Sequence, residues 1–173
     1  SWMDFLAAEF MGNFRPDTVS NDAGAAEHLN RFVQAYIASA SSSDQPVPEL
    51  SACLVLRHLA VAEALVSMPT AARCAALDRF SSVLEKQQAP TYQVRFAAML
   101  RSECAKNERS TLEHANAVIQ LPTAPENAEM QLFCFSEVWA YSKTPLPKTF
   151  FDDYIQRHVA YYGACSRQVP LAV

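Results

Sequence analysis

The chain has 173 residues, of which half are hydrophobic and only 18% are charged, and its formal net charge is −4. A chain of this length and composition can bury a substantial core, which argues against intrinsic disorder. Its Lys and Arg residues are scattered, whereas nucleic-acid binding usually requires a clustered basic face. We expect one α-helical domain over residues 1–173, and the abrupt opening at Ser1-Trp2 favours an excision from a longer protein.

Proline and glycine usage predicts the fold class. The sequence contains ten prolines and three glycines, and proline ends helices because it fixes φ and lacks an N–H group. Asn-Gly and Asp-Gly pairs are absent from the sequence, so a β-rich fold would lack its usual turn residues. We therefore predict an all-α fold of about eight antiparallel helices.

The first half of the chain contains four of these predicted helices. In chain order they run from Trp2 to about Asn13, from about Asp22 to the serine-rich tract at 39–44, over Glu49–Ser67, and over Thr70–Lys86. The second helix has a favourable N-cap residue and apolar residues at helical spacing. The third is apolar on nearly every side, which is typical of a helix surrounded by others.

The second half contains the other four. In chain order, the first of them follows Pro90. The others run from Ser110 to about Leu121, from about Pro125 to Tyr141, and from Thr149 to about Tyr162. Ser110 and Glu113 have the spacing of a capping box, and Gly163 is the residue type expected just past a helix end. The rhythm of these helices resembles HEAT- and armadillo-like domains, which implies stacked helical hairpins. A closed helical bundle is equally compatible with the pattern.

The five cysteines form no close pair in the sequence. They are Cys53, Cys74, Cys104, Cys134 and Cys165. Their wide spacing within apolar segments predicts reduced, buried thiols and argues against a zinc site. Reduced cysteines favour a cytoplasmic or nuclear location.

Membrane and cofactor signatures are missing from the sequence. The longest apolar stretch, Leu50–Met68, carries Arg57, His58 and Glu63, and such residues are costly inside a bilayer, so we predict no membrane span. The three glycines lie too far apart for a nucleotide-binding loop, and no HExxH motif occurs. We accordingly predict no cofactor, no metal and no catalytic residue.

These observations favour a non-enzymatic module for protein–protein interaction, a scaffold or adaptor built from helical hairpins. The last helix is wrapped in aromatic side chains and is the surface to test first for a protein partner. Such a helix is either buried on all sides, which is the commoner outcome, or offers one face to a partner. The predicted partner-binding residues are Phe150, Phe151, Tyr154, Tyr161 and Tyr162.

Two other interpretations stay open at this point. One is an enzyme or small-ligand-binding helical domain, with a pocket between helices around Arg57, Glu63 and a histidine. The other concerns Pro122-Thr123-Ala124-Pro125, which resembles the late-domain tetrapeptide PTAP that ubiquitin-E2-variant domains read. That mode of recognition requires an extended and accessible peptide, and prolines are also expected in a helix connector.

Overall fold

The computed structural model describes residues 23–61 and 68–166; the side chains of residues 23–26, 28–29, 61 and 162–166 are outside the description. Regular structure within these ranges is entirely helical. The helices are α1 (Ala23–Ser42), α2 (Glu49–Val61), α3 (Thr70–Lys86), α4 (Thr91–Cys104), α5 (Glu108–Ile119), α6 (Ala128–Tyr141) and α7 (Lys148–Ser166).

The all-α prediction is confirmed for the described residues, with seven helices rather than about eight. The predicted helix that begins at Trp2 lies outside the described ranges. Every proline within them falls between helices, as expected for a residue that cannot continue a helix. The fold is compatible with a helical bundle, and stacking of HEAT-like hairpins stays a prediction.

Several helix boundaries differ from the predicted ones, and the helix predicted from about Pro125 begins at Ala128. Asn107 caps α5, because its side-chain oxygen accepts a hydrogen bond from the N–H of Ser110 at 3.1 Å. The predicted capping box at Ser110 is therefore one turn too late. The last helix continues through Gly163 to Ser166, so Gly163 does not end it.

Helices α3 and α4 end without glycine. Gln88 and Lys106 have φ angles of 52° and 54°, which is the left-handed region that glycine usually occupies after a helix. After Gln88, the N–H of Ala89 donates to the carbonyl of Leu84, in the last turn of α3, at 2.9 Å. A chain with so few glycines thus ends two helices with polar residues in a glycine conformation.

The chain divides into two compact units, Ser1–Ala97 and Ala98–Val173. In the first unit, α1 and α2 both pack against α3. The guanidinium of buried Arg73 donates to the carbonyl of Leu59 at 2.6 Å, which satisfies a carbonyl in the last turn of α2. Leu50 is 68% exposed, so the prediction that other helices surround α2 on every side is wrong at this residue.

In the second unit, α5 packs against α6 and α6 packs against α7. The core includes Phe135, Cys134 and Val118. Gln131 is fully buried, and its amide donates to the carbonyls of Val118 at 3.1 Å and Leu121 at 2.8 Å. A side chain of α6 thereby satisfies carbonyls where α5 ends.

The cysteines match the prediction only in part. Cys134 is a buried thiol whose pKa is raised by burial, and Cys53 is a half-buried thiol outside any disulfide. Cys74 and Cys104 are disulfide-bonded, which departs from the prediction of five reduced thiols. Sequence spacing missed this because disulfide pairing depends on where the helices place each cysteine.

Candidate functional site

The last helix has two apolar faces with different environments. It follows the Pro145-Leu146-Pro147 connector, and the carbonyl of Pro147 accepts the N–H of Phe150 at 3.0 Å. Proline cannot extend a preceding helix but is well tolerated at a helix start. The connector therefore separates α6 from α7, and packing decides which face of α7 turns inward.

The inward face of α7 is aromatic. The rings of Phe150 and Tyr154 lie 5.0 Å and 5.7 Å, centre to centre, from the ring of Phe135 in α6. His158 continues this face, 5.6 Å from the ring of Tyr154. These distances are typical of aromatic packing, so half-buried Phe150 and Tyr154 pack against α6.

Arg157 fixes the orientation of α7. Its guanidinium lies over the ring of Phe135 at 5.3 Å and donates to the carbonyl of Ile119 at 3.1 Å. Two further hydrogen bonds, at 3.0 Å and 3.1 Å, join it to the carboxylate of Asp153. One side chain thus connects α7 to α6 and to the carbonyl end of α5, where a cation is favourable.

Half-buried Phe151 and exposed Ile155 and Val159 lie on the outward face of α7, and together with exposed Trp139 of α6 we call them the α7 stripe. Trp139 is 63% exposed, Ile155 is 58% exposed and Val159 is 65% exposed. Trp139 is in α6, but its ring meets that of half-buried Phe151 edge to face at 5.7 Å. The stripe therefore extends from α6 along two turns of α7.

The charges on α7 are neutralised within the helix. Lys148 lies 3.8 Å from Asp152, and Arg157 lies 3.0 Å from Asp153. These are the two acidic and two basic residues of the helix. The Asp, Lys and Arg side chains of α7 therefore cancel in formal charge, and we expect apolar contact to contribute more than electrostatic attraction to binding at its exposed face.

The structure places the predicted partner-binding residues in different environments. Phe150 and Tyr154 pack inward, and half-buried Phe151 contributes to the exposed stripe. Tyr161 is half-buried and already makes an interaction, and the side chain of Tyr162 lies outside the description. Sequence reasoning missed Trp139, Ile155 and Val159, although the recurrence at 151, 155 and 159 is a signal for a helical stripe.

The alternative interpretation, a pocket around Arg57, Glu63 and a histidine, concerns residues of α2 and of the segment after it. His58 is buried, and its ring nitrogen lies 2.8 Å from the side-chain oxygen of Asn30. Burial lowers the pKa of His58 to about 4, so the ring is neutral near pH 7. Arg57 is half-buried, and Glu63 lies outside the described residues. Within the described ranges, no group of three His, Cys, Asp or Glu side chains could hold a metal ion.

A polar cluster joins the starts of α2 and α4. The hydroxyl of Tyr92 donates to the carboxylate of Glu49, and burial, the largest cause, raises the pKa of Tyr92. Gln93 is buried and donates to the carbonyl of Glu49 at 3.1 Å and to the sulfur of Cys53 at 3.4 Å. These contacts fix the first turn of α2 on α4, and the side chains of Tyr92 and Gln93 both have partners within the cluster.

A pocket of about 280 Å³ lies where α1 and α3 end. It is lined by Ala40, Ser41, Arg79, Ser82, Val83, Lys86 and Gln87. Lys86 is exposed and lies 3.1 Å from Asp44. Because two helices present their carbonyl ends here, the cations complement the helix dipoles, and the same dipoles disfavour an anionic ligand.

Several polar groups of the PTAP segment are hydrogen-bonded to Asn127 and Gln131. The amide of Asn127 donates to the carbonyl of Pro122 and accepts from the N–H of Ala124, both at 2.9 Å. The hydroxyl of Thr123 donates to the side-chain oxygen of Gln131 at 2.9 Å. A partner that reads this segment as an extended peptide would have to break these bonds.

Two wider comparisons bear on function. In the part of the chain that the structure describes, no helix has both the length and the apolar character needed to cross a membrane. Comparison with known proteins finds no match to a protein-family model, to a curated protein or to a solved structure. Any functional inference therefore depends on the geometry of the chain itself.

Proposed function

We propose that this chain is a non-enzymatic protein-interaction module and that the α7 stripe is its contact surface. The observation that carries the proposal is the joint exposure of Trp139, Ile155 and Val159 around the half-buried ring of Phe151. Exposed apolar side chains that are contiguous, rather than single, are typical of interaction sites. Tryptophan is also among the residues that contribute most to binding when an interface forms.

The rigidity of α7 supports the proposal. The aromatic contacts with Phe135 hold the helix against α6, and the hydrogen bond from Arg157 to the carbonyl of Ile119 joins it to the end of α5. A preorganised face loses little conformational entropy when a partner binds. The stripe is thus an ordered surface rather than a frayed terminus.

Affinity capture with a matched control tests the proposal. Ile155→Ser/Val159→Ser removes the apolar stripe, and Gln156→Ser changes an exposed neighbour on the same helix. We expect the double variant to lose specifically captured proteins that the wild type and Gln156→Ser retain. Identical captured sets for all three chains, with equal thermal stability, would contradict the proposal.

A further inference from the structure

We propose that the PTAP segment, Pro122 to Pro125, is a docking site for a domain that encloses an extended Pro-Thr-Ala-Pro peptide, and that hydrogen bonds to Asn127 and Gln131 restrain its binding. The match to the tetrapeptide that ubiquitin-E2-variant domains read covers all four residues. Because the segment contains no residue of the α7 stripe, it would be a second contact surface, independent of the one proposed above.

The PTAP segment is accessible from solvent. It lies in the connector between α5 and α6, where Pro122, Thr123 and Pro125 are exposed and Ala124 is half-buried. A domain that binds an extended peptide obtains its specificity from pockets for individual side chains. Both prolines of the tetrapeptide are outside the core, so such pockets could receive them.

The backbone of the segment has the features of an extended chain. Residues 122–124 belong to no helix or turn, the proline ring fixes φ at about −65°, and a residue that precedes proline avoids the helical region, as Ala124 does here. The carbonyl of Pro122 and the N–H of Ala124 both face Asn127, as groups two residues apart do in an extended chain. Binding would therefore cost the segment little conformational entropy.

One backbone edge of the segment is open. The N–H and the carbonyl of Thr123 form no hydrogen bond with the residues that the structure describes. Because the backbone groups of an extended chain alternate in direction, these two face away from Asn127. A partner strand can pair with such an edge, so Thr123 can make the first main-chain contacts while Asn127 still holds the other edge.

The other edge is restrained by residues at the start of α6. Asn127 bonds to the carbonyl of Pro122 and to the N–H of Ala124, and the hydroxyl of Thr123 donates to Gln131, all at 2.9 Å. A domain that encloses the segment must exchange these bonds for its own. A neutral hydrogen bond changes an equilibrium by about two- to tenfold, so the two bonds of Asn127 together weaken binding by about tenfold.

Calorimetric titration of the whole chain with a purified ubiquitin-E2-variant domain tests the docking site. We expect the wild type to bind and an excess of synthetic Pro-Thr-Ala-Pro peptide to displace it. Pro122→Ala/Pro125→Ala should weaken binding at least about tenfold. Pro46→Ala/Pro48→Ala makes the same changes in the exposed connector between α1 and α2 and should bind like the wild type.

Two results would overturn the docking site. One is equal affinity of the domain for the two double variants. The other is a domain that binds the synthetic peptide but binds neither the wild type nor Asn127→Ala, in which the restraint is removed.

Substitution of Asn127 tests the restraint separately. Asn127→Ala removes both backbone bonds and should raise the affinity by about tenfold. Asn127→Asp keeps an acceptor for the N–H of Ala124 and a favourable residue before the helix, so it should retain the fold and raise the affinity less. Circular dichroism compares the helical content of both variants with the wild type. If Asn127→Asp keeps that content and the wild-type affinity, Asn127 does not restrain the segment.

Discussion

The guanidinium of Arg157 lies over the ring of Phe135, with its central carbon 5.3 Å from the ring centre. This contact, together with the hydrogen bond from Arg157 to the carbonyl of Ile119, determines how α7 sits on its neighbours. The same helix rotation that places Tyr154 against Phe135 leaves Ile155 and Val159 exposed. The inward and outward faces of α7 are thus two consequences of one packing arrangement.

Replacement of Arg157 should loosen α7. Arg157→Ala removes the bonds to Ile119 and Asp153 and the cation–π contact, so we expect a loss of about 1–3 kcal/mol in the free energy of unfolding. Lys148→Ala removes only an exposed pair on the same helix and should change stability little. Urea unfolding of the two variants, followed by circular dichroism, checks the difference. Equal effects would show that Arg157 does not anchor the helix.

Removal of one buried hydroxyl should stabilise the protein. The hydroxyl of Ser81 in α3 is buried and has no hydrogen-bond partner among the residues that the structure describes. That of its exposed neighbour Ser82 donates to the carbonyl of Asp78 at 3.0 Å. We expect Ser81→Ala to raise the free energy of unfolding by about 1 kcal/mol, because it removes an unsatisfied polar group and improves helix propensity.

The matched control for this prediction is Ser82→Ala. It makes the same chemical change on the adjacent residue and should shift the thermal midpoint much less. A Ser81→Ala variant less stable than the wild type would indicate that its hydroxyl is satisfied in solution.

His58 should make stability depend on pH. Its pKa is lowered by burial from 6.5 to about 4, so the unfolded chain binds a proton that the folded chain does not. Stability is then complete above pH 6.5 and decreases as the pH falls toward 4, by up to about 3 kcal/mol. Urea unfolding at several pH values measures this slope.

A substitution identifies the group responsible. His58→Gln retains a donor for the side-chain oxygen of Asn30 and cannot titrate, so its stability should vary less over this pH range. Gln156→Ser changes an exposed residue that does not titrate and should keep the wild-type slope. An unchanged slope in His58→Gln would assign the pH dependence to other groups.

Gln131 should be sensitive to the replacement of one heavy atom. In Gln131→Glu a carboxylate replaces an amide that donates to the carbonyls of Val118 and Leu121. Burying an acceptor against acceptors should cost more than about 3 kcal/mol at neutral pH. Gln131→Leu loses the same bonds without a buried charge, so it should be the more stable variant. The reverse order in thermal unfolding would contradict this role of the amide.

The helices could be predicted largely from the sequence, because proline ends helices wherever it occurs and apolar residues recur at helical spacing. The first residue of each helix was harder to predict. Asn107 and Ser110 are both favourable N-cap residues, and only the geometry of the structure selects Asn107. Disulfide bonding at Cys74 and Cys104 could not be predicted from the sequence, because the sequence contains no close cysteine pair.

The candidate surface could be predicted only to the level of the helix that carries it. Both faces of α7 are apolar, so periodicity alone does not say which one is buried. That choice is made by Phe135 and by the carbonyl of Ile119, which lie on other helices and are distant in sequence. Exposed Trp139 joins the surface for the same reason, through its contact with Phe151.

Two adjacent residues on α7 provide the most direct test of these assignments. Urea unfolding of Tyr154→Ser and Ile155→Ser compares the inward and the outward face at neighbouring positions. We expect Tyr154→Ser to lose about 2 kcal/mol or more of stability, and Ile155→Ser to lose less than about 0.5 kcal/mol. Equal losses, or a larger loss for Ile155→Ser, would contradict an α7 that packs through Tyr154 and presents Ile155 to a partner.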